Sequence, residues 1–175
     1  MKRIFLFTGC LFISQLFFAQ NKELPSCVSL KKELREVKRS FANIVEKFKS
    51  KEDKVSLIKT YFSDFSICGE KGKIKDYGRN VEFNFSFNDG YYKGGKDEFR
   101  TFFEKMVAEA NDVFERTHYY KISDEDAGQS CYFYETGKDI SSSKKMIRIL
   151  LSYKDAIDDT EAYSVSVAFE YYPKR

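Results

Sequence analysis

The sequence predicts an α+β domain in which helices pack on a mostly antiparallel sheet of four to five strands. Three segments, residues 28–50, 54–65 and 96–117, repeat apolar residues at helical spacing. Other segments alternate apolar and polar residues and are separated by turn-forming residues, which is typical of strands in antiparallel sheets. Consecutive strands joined by turns, together with grouped helices, indicate the α+β class.

The two N-terminal helices are predicted to form an antiparallel hairpin. The apolar stripe of the first helix consists of Leu30, Leu34, Val37, Phe41, Ile44 and Phe48. The buried face of the second helix consists of Val55, Ile58, Tyr61 or Phe62, and Phe65. Because only residues 51–53 separate the two segments, the helices should pack against each other in opposite directions.

The third helix, residues 96–117, is predicted to present one broad apolar face to the sheet. That face consists of Phe99, Phe102, Phe103, Met106, Val107, Ala110, Val113 and Phe114. The predicted strands cover residues 81–88, 119–122, 129–136, 145–153 and 163–171. Residues 69–79, which mix glycines with basic residues, are predicted to be a solvated loop, with contact to an acidic partner as the alternative.

Residues 1–19 are predicted to be a signal peptide, and residues 20–175 a single domain. Lys2 and Arg3 precede an apolar run that ends before Ala19, after which polar and charged residues begin. The run is shorter than the about 20 apolar residues of a membrane span, so we expect no transmembrane segment after cleavage. The expected destination is the periplasm or the exterior. A lipoprotein cut before Cys10 is the alternative.

Three cysteines remain after such a cleavage, namely Cys27, Cys68 and Cys131. Export permits disulfides, and an odd number leaves one thiol outside them. The first helix would be about 33 Å long at about 1.5 Å per residue, and the second would return about half of that length. Residues 66–68 could then extend back to the start of the first helix, so we predict a Cys27–Cys68 disulfide.

Composition and motifs exclude several classes of function. Without Lys2 and Arg3, 28 basic residues face 27 acidic ones, and this net charge of +1 is not typical of nucleic-acid binding. No metal-ligand spacing and no glycine-rich phosphate-binding motif is present, so we expect neither metal nor cofactor. The catalytic candidate is His118, which could act as a general base beside a carboxylate or could simply end a helix.

The segment Tyr92–Phe103, with the sequence YKGGKDEFRTFF, is similar to known entries into a helix. It resembles the Gly-x-x-x-[Ile/Phe]-x-x-[Phe] motif of the nuclear transport factor 2-like (SnoaL-like) family, as does the order of elements over about residues 40–172. That resemblance implies a cone-like, strongly curved sheet with a pocket beneath the helices. Enzymes of the family commonly place an Asp and a His or Tyr there, and no such pair is matched here. Tyr92, Gly94 and Gly95 also resemble the aromatic-x-Gly-Gly motif of the TonB carboxy-terminal domain.

From these observations we expect an exported, non-catalytic binding domain. A pocket or face between helices and sheet would recognise a small apolar ligand or a protein partner. The side chains expected to line it are Phe83, Phe85, Phe99, Phe103, Tyr132 and Tyr134. The alternatives are a SnoaL-like isomerase, cyclase or hydrolase that uses His118, and an envelope protein-interaction factor of the immunity or TonB-like type. A homodimer formed through the sheet also stays open.

Overall fold

The structure is a computed structural model that describes residues 22–48, 58–114, 118–124, 126–154 and 160–173. Most of its secondary-structure elements are strands. The elements in chain order are β1 (Lys22–Glu23), α1 (Leu30–Phe48), β2 (Lys59–Ile67), β3 (Glu70–Asp76), β4 (Val81–Asn88), β5 (Tyr92–Lys93), α2 (Lys96–Val113), β6 (His118–Asp124), β7 (Gly128–Tyr134), β8 (Lys145–Lys154) and β9 (Glu161–Tyr171). The predicted signal peptide, its cleavage after Ala19 and the alternative at Cys10 lie outside the described residues. So does the predicted turn at residues 51–53.

Seven of the strands form one antiparallel sheet in the order β2-β3-β4-β9-β8-β7-β6. Strands β1 and β5 form a separate parallel pair of two residues each. The last strand of the chain, β9, therefore lies at the centre, between β4 and β8. This arrangement places β2 and β6 at the edges of the sheet.

The predicted fold class is wrong. The described residues contain two helices, not a hairpin plus a third helix, and the sheet has seven strands rather than four to five. The architecture is thus mostly β, not a three-helix α+β cone. The error has two sources, the predicted second helix and the predicted loop that follows it.

Residues 59–67 form strand β2 instead of the predicted second helix. Val55 lies outside the described residues, but the described members of the proposed buried face are exposed, with 61% of Ile58 and 80% of Phe62 accessible to solvent. Thr60, Tyr61 and Phe62 are residue types that favour extended backbone, and β2 is stabilised by pairing with β3. The helical spacing of apolar residues was coincidental in this short segment.

Residues 70–76 form strand β3, within the segment that was predicted to be a loop. Its side chains alternate, so Gly72, Ile74 and Asp76 lie on one face and three lysines lie on the other. A Cβ atom at Gly72 would meet Phe83 Cε2 at 2.2 Å and Phe85 Cε1 at 2.7 Å. Glycine is needed here because these two rings pack directly against the β3 backbone.

Both helices lie on the same face of the sheet. They bury the predicted apolar stripes except for Val107 and Val113, which are half-buried, and the side chain of Phe48 lies outside the described part of the structure. The residues of α1 that are buried are Leu30, Leu34, Val37, Phe41, Ile44 and Val45. Those of α2 are Phe99, Phe102, Phe103, Met106 and Ala110. Ring contacts continue the core into the sheet, with the Phe41 and Phe169 centroids 5.8 Å apart and those of Phe87 and Phe102 4.9 Å apart. None of the helices within the described residues has the length and apolar character that crossing a membrane requires.

Cys27 and Cys68 form a disulfide, which is the predicted pairing. The predicted route was different, because the chain returns to Cys27 along strand β2 and not along a second helix. Both cysteines adopt the left-handed backbone region, with φ of 53° and 51°, which is unfavourable for residues other than glycine. The backbone N–H of Cys68 donates to Glu33 Oε2 at 2.7 Å, so the β2–β3 turn is also held by α1. Cys131 is buried and is not part of a disulfide.

We expect the Cys27→Ser/Cys68→Ser variant to unfold at a lower temperature than the native chain. The bond closes a loop with a sequence separation of 41 residues, and chain entropy assigns about 4 kcal/mol to such a closure. The midpoint of thermal unfolding should fall by roughly 10 °C. Reductant should lower the midpoint of a Cys131→Ala control but leave that of the double variant unchanged. An equal response of both variants to reductant would contradict this assignment.

Candidate functional site

The sheet has one face covered by the helices and one open face, on which polar side chains gather. On β4 this open face carries Glu82, Asn84, Ser86 and Asn88. Directly opposite, β9 contributes Glu170, Ala168, Ser166 and Ser164. The alternation that places phenylalanines of β4 in the core therefore also places a polar row outside it.

A groove of about 590 Å³ lies on this open face, and we call it the lysine groove. Its basic residues are Lys22, Lys71, Lys73 and Lys75. The others are Glu70, Asn84, Ser86, Asn88, Tyr91, Tyr92, Ser164 and Ser166. No aliphatic side chain is among them, so the lining offers ammonium, hydroxyl, amide and phenol groups and the one carboxylate of Glu70.

Strand β3 positions the lysine row. Lys71, Lys73 and Lys75 alternate with Gly72 and Ile74, so all three point away from the helices. The ladder between β3 and β4 includes the pair Lys73 and Asn84 but extends no further toward Lys71. Beyond that pair the groove opens between the two strands.

The short β1–β5 pair closes one end of the groove. Lys22 lies beside Tyr92 in this pair, and its backbone N–H donates to the Tyr91 carbonyl oxygen at 2.9 Å. The Tyr92 hydroxyl donates to Glu70 Oε1 at the start of β3. Burial, followed by the hydrogen bond and negative charge of Glu70, raises the pKa of Tyr92. Its hydroxyl therefore stays protonated and remains a donor at neutral pH.

The lysine row is not neutralised by neighbouring carboxylates. Within the part of the chain that the structure describes, none of Lys71, Lys73 and Lys75 forms an ion pair. Lys75 lies opposite Glu82 in the β3–β4 ladder, but the Glu82 carboxylate is engaged elsewhere. The groove thus presents four lysines against the one carboxylate of Glu70, although the predicted mature chain is nearly neutral.

Glu82 belongs to an ionic cluster next to the groove, together with Arg148 and Glu170. Arg148 Nη2 lies 3.8 Å from Glu82 Oε2, and its Nε lies 3.0 Å from Glu170 Oε1, without a well-directed hydrogen bond. Glu82 also accepts from Asn84 Nδ2 at 2.7 Å, and Glu170 accepts from the Tyr172 hydroxyl at 2.8 Å. Only 8% of Glu82 and 3% of Glu170 are exposed.

The cluster shifts the protonation of its neighbours. Burial opposes the charge on Arg148, but the carboxylates of Glu170 and Glu82 more than offset it and raise the Arg148 pKa. Burial, then the negative charge of Glu82, raises the pKa of Tyr77. Arg148 is thus a fixed cation that holds two nearly buried carboxylates.

A second, apolar cavity of about 230 Å³ lies at the end of the sheet between α1, the end of α2 and strands β7 and β8. Its apolar wall includes Phe41, Phe114, Phe133, Ile147 and Phe169. Lys38, Glu135 and Lys145 lie at the same cavity and could meet a polar end of a ligand. Because it lies between helices and sheet, this cavity corresponds in position to the ligand site predicted from the sequence.

The aromatic residues predicted to line a ligand site lie in three places. Phe83, Phe85, Phe99 and Phe103 are at most 1% exposed and pack within the core. Tyr132 lies opposite Arg148 on the open face. Tyr134 lines the apolar cavity. The structure therefore does not bring the six predicted side chains together.

His118 begins strand β6, and its backbone pairs with Tyr134. Its side chain lies outside the described part of the structure, so its predicted acid–base role stays a prediction. Among the described residues, no three His, Cys, Asp or Glu side chains are grouped closely enough to hold a metal ion.

Sequence reasoning missed the lysine groove because it assigned residues 69–79 to a loop. The signal that could have found it is the period-two pattern Lys71, Lys73, Lys75, with Ile74 between them. In a loop this pattern has no meaning, whereas in a strand it places three ammonium groups on one face. The partner residues on β4 and β9 could not be assigned without the strand order.

Comparisons with known protein families, with curated proteins and with solved structures found no match for this chain. The resemblances to the nuclear transport factor 2-like family and to the TonB carboxy-terminal domain therefore stay predictions.

We expect Arg148→Met to destabilise the fold by about 2–3 kcal/mol at pH 7, because two nearly buried carboxylates would lose their cation. Denaturant unfolding measures this. The matched variant Arg148→Met/Glu170→Gln, which removes one of the two charges, should recover part of the loss. A deficit that Glu170→Gln does not reduce would contradict this account of the cluster.

Proposed function

We propose that this protein is an exported, non-catalytic binding domain that takes an anionic ligand in the lysine groove. The observation that supports this most directly is the row of Lys71, Lys73 and Lys75, which have no ion-pair partner in the described residues and face a polar cavity. Like charges on alternate strand residues repel one another, and an anion bound between them relieves that repulsion.

For an anionic ligand, the size and chemistry of the groove support a site more strongly than those of the apolar cavity do. Ligand pockets usually measure about 300–1,000 Å³. The lysine groove, at about 590 Å³, falls within that range, and the apolar cavity, at about 230 Å³, falls below it. The lysine groove also combines charge with hydroxyl and amide groups, which supply orientation and specificity.

Export is part of this proposal. Support comes from the leader-like N-terminal sequence and from the Cys27–Cys68 disulfide, since disulfides persist in oxidising compartments. A groove outside the cytoplasm would encounter anionic polymers and lipids. A local basic surface attracts such molecules even on a domain that is nearly neutral as a whole.

The lysine row should determine binding to polyanions. We expect Lys71→Gln/Lys73→Gln/Lys75→Gln, in the chain from residue 20 onward, to bind dextran sulfate about tenfold more weakly than the native chain. Retention on a sulfonate cation exchanger at pH 7 should fall in parallel. Calorimetry and the salt concentration at elution measure the two effects.

The matched control is Lys32→Gln/Lys121→Gln/Lys144→Gln, which removes the same charge from exposed positions on α1, β6 and the loop before β8. It should bind nearly as the native chain does, because these lysines lie outside the groove. If both triple variants lose binding equally, general charge and not the groove is responsible, and the proposal fails.

A small apolar ligand in the cavity between helices and sheet is the second candidate. The observation that favours it is the ring-lined wall formed by Phe41, Phe114 and Phe133. Ala42 also lines this cavity, so Ala42→Phe should fill it and reduce binding of the apolar dye anilinonaphthalene sulfonate, measured by fluorescence. Unchanged dye binding would remove this candidate. The enzyme that uses His118 and the envelope interaction factor stay as further predictions.

A further inference from the structure

We infer that the ligand of the lysine groove is an acidic oligosaccharide, a short sugar chain that carries carboxylate or sulfate groups. This inference rests on the proposed function and names its ligand class. Three features of the groove support it: the polar lining, the charged row and one exposed aromatic ring.

The polar lining is suited to a ligand that is rich in hydroxyl groups. Ser86 and Ser166 lie directly opposite each other in the β4–β9 ladder, as do Asn88 and Ser164. Each serine both donates and accepts, and Asn88 can donate through Nδ2 while its Oδ1 also accepts from the Gly90 N–H at 3.1 Å. Four such side chains in two adjacent rows give a surface that can follow the ring hydroxyls of a sugar.

The lysine row would bind the acidic groups of the sugar. Alternate residues of a strand are about 6.7 Å apart, so Lys71, Lys73 and Lys75 distribute their charges over about 13 Å. Lysine ammonium groups are flexible point charges that accept carboxylate and sulfate alike. Several spaced acidic groups on one chain would therefore be held better than a single small anion.

Tyr91 supplies a ring at the rim of the groove. It is 67% exposed, and its neighbour Tyr92 is buried and fixed by Glu70. The β1–β5 pair holds the Tyr91 backbone through the Lys22 N–H. An exposed ring on a fixed backbone offers an apolar face to the C–H face of a sugar, with its hydroxyl still available for a hydrogen bond.

The same features disfavour other anionic chains. An acidic peptide is usually held through apolar side-chain pockets as well as charge, and none of the groove residues is aliphatic. A nucleic acid is usually held by several stacking rings, whereas Tyr91 is the one exposed ring among the groove residues. The lining therefore favours a sugar that is both hydroxylated and acidic.

Isothermal titration calorimetry with the chain from residue 20 onward tests this inference. The probes are tetragalacturonic acid, a heparin-derived tetrasaccharide, neutral maltotetraose, a tetraglutamate peptide and a short oligothymidylate. We expect at least one acidic sugar to bind about tenfold more tightly than maltotetraose, the peptide and the oligonucleotide. Tyr91→Ala should weaken that binding about tenfold. The control Tyr61→Ala removes a ring that lies outside the groove, and it should leave the affinity for the acidic sugar unchanged.

Each other outcome overturns a defined part of the argument. Equal or tighter binding of tetraglutamate or oligothymidylate, or no effect of Tyr91→Ala, rejects the sugar while leaving an anion-binding groove. Sugar binding that survives Lys71→Gln/Lys73→Gln/Lys75→Gln rejects the groove itself. Binding of none of the acidic sugars, with dextran sulfate still bound through the lysine row, also rejects the inference and preserves the proposed function.

Discussion

The pairing of β4 with β9 is the constraint on which both the core and the open face depend. In this register Phe83 lies opposite Phe169 and Phe85 opposite Val167, under the two helices. The intervening residues form the polar rows of the groove and the ionic cluster. A shift of one residue would exchange the two faces, burying serines and exposing phenylalanines, so the apolar core fixes the position of every polar group outside it.

The ionic cluster and the lysine groove are electrostatically related. Glu82 is the carboxylate nearest in the ladder to Lys75, but it accepts from Asn84 and faces Arg148. A nearly buried carboxylate with these partners is not available to neutralise the lysine row. The cost of burying the cluster is offset by its internal contacts, and the consequence on the open face is a local excess of positive charge.

The N-terminal segment connects the stability of the fold to the shape of the groove. The Cys27–Cys68 disulfide joins the residues before α1 to the β2–β3 turn, from which Glu70 begins β3. Glu70 in turn accepts from Tyr92, whose strand pairs with Lys22. One end of the groove is therefore defined by contacts that are distant in sequence but share the same small region of the structure.

The sequence by itself determined the two helices with their buried apolar faces and the strands β4, β7, β8 and β9. These features depend on local periodicity. The Cys27–Cys68 pairing was also predicted, but from a helical hairpin that the described residues do not contain. Only the tertiary structure decided that residues 59–67 and 70–76 are strands, because β2 and β3 are stabilised by each other and by the rings of Phe83 and Phe85. The lysine groove was likewise decided only by the tertiary structure. Its residues come from five strands and a turn, and only long-range strand pairing brings them to one face.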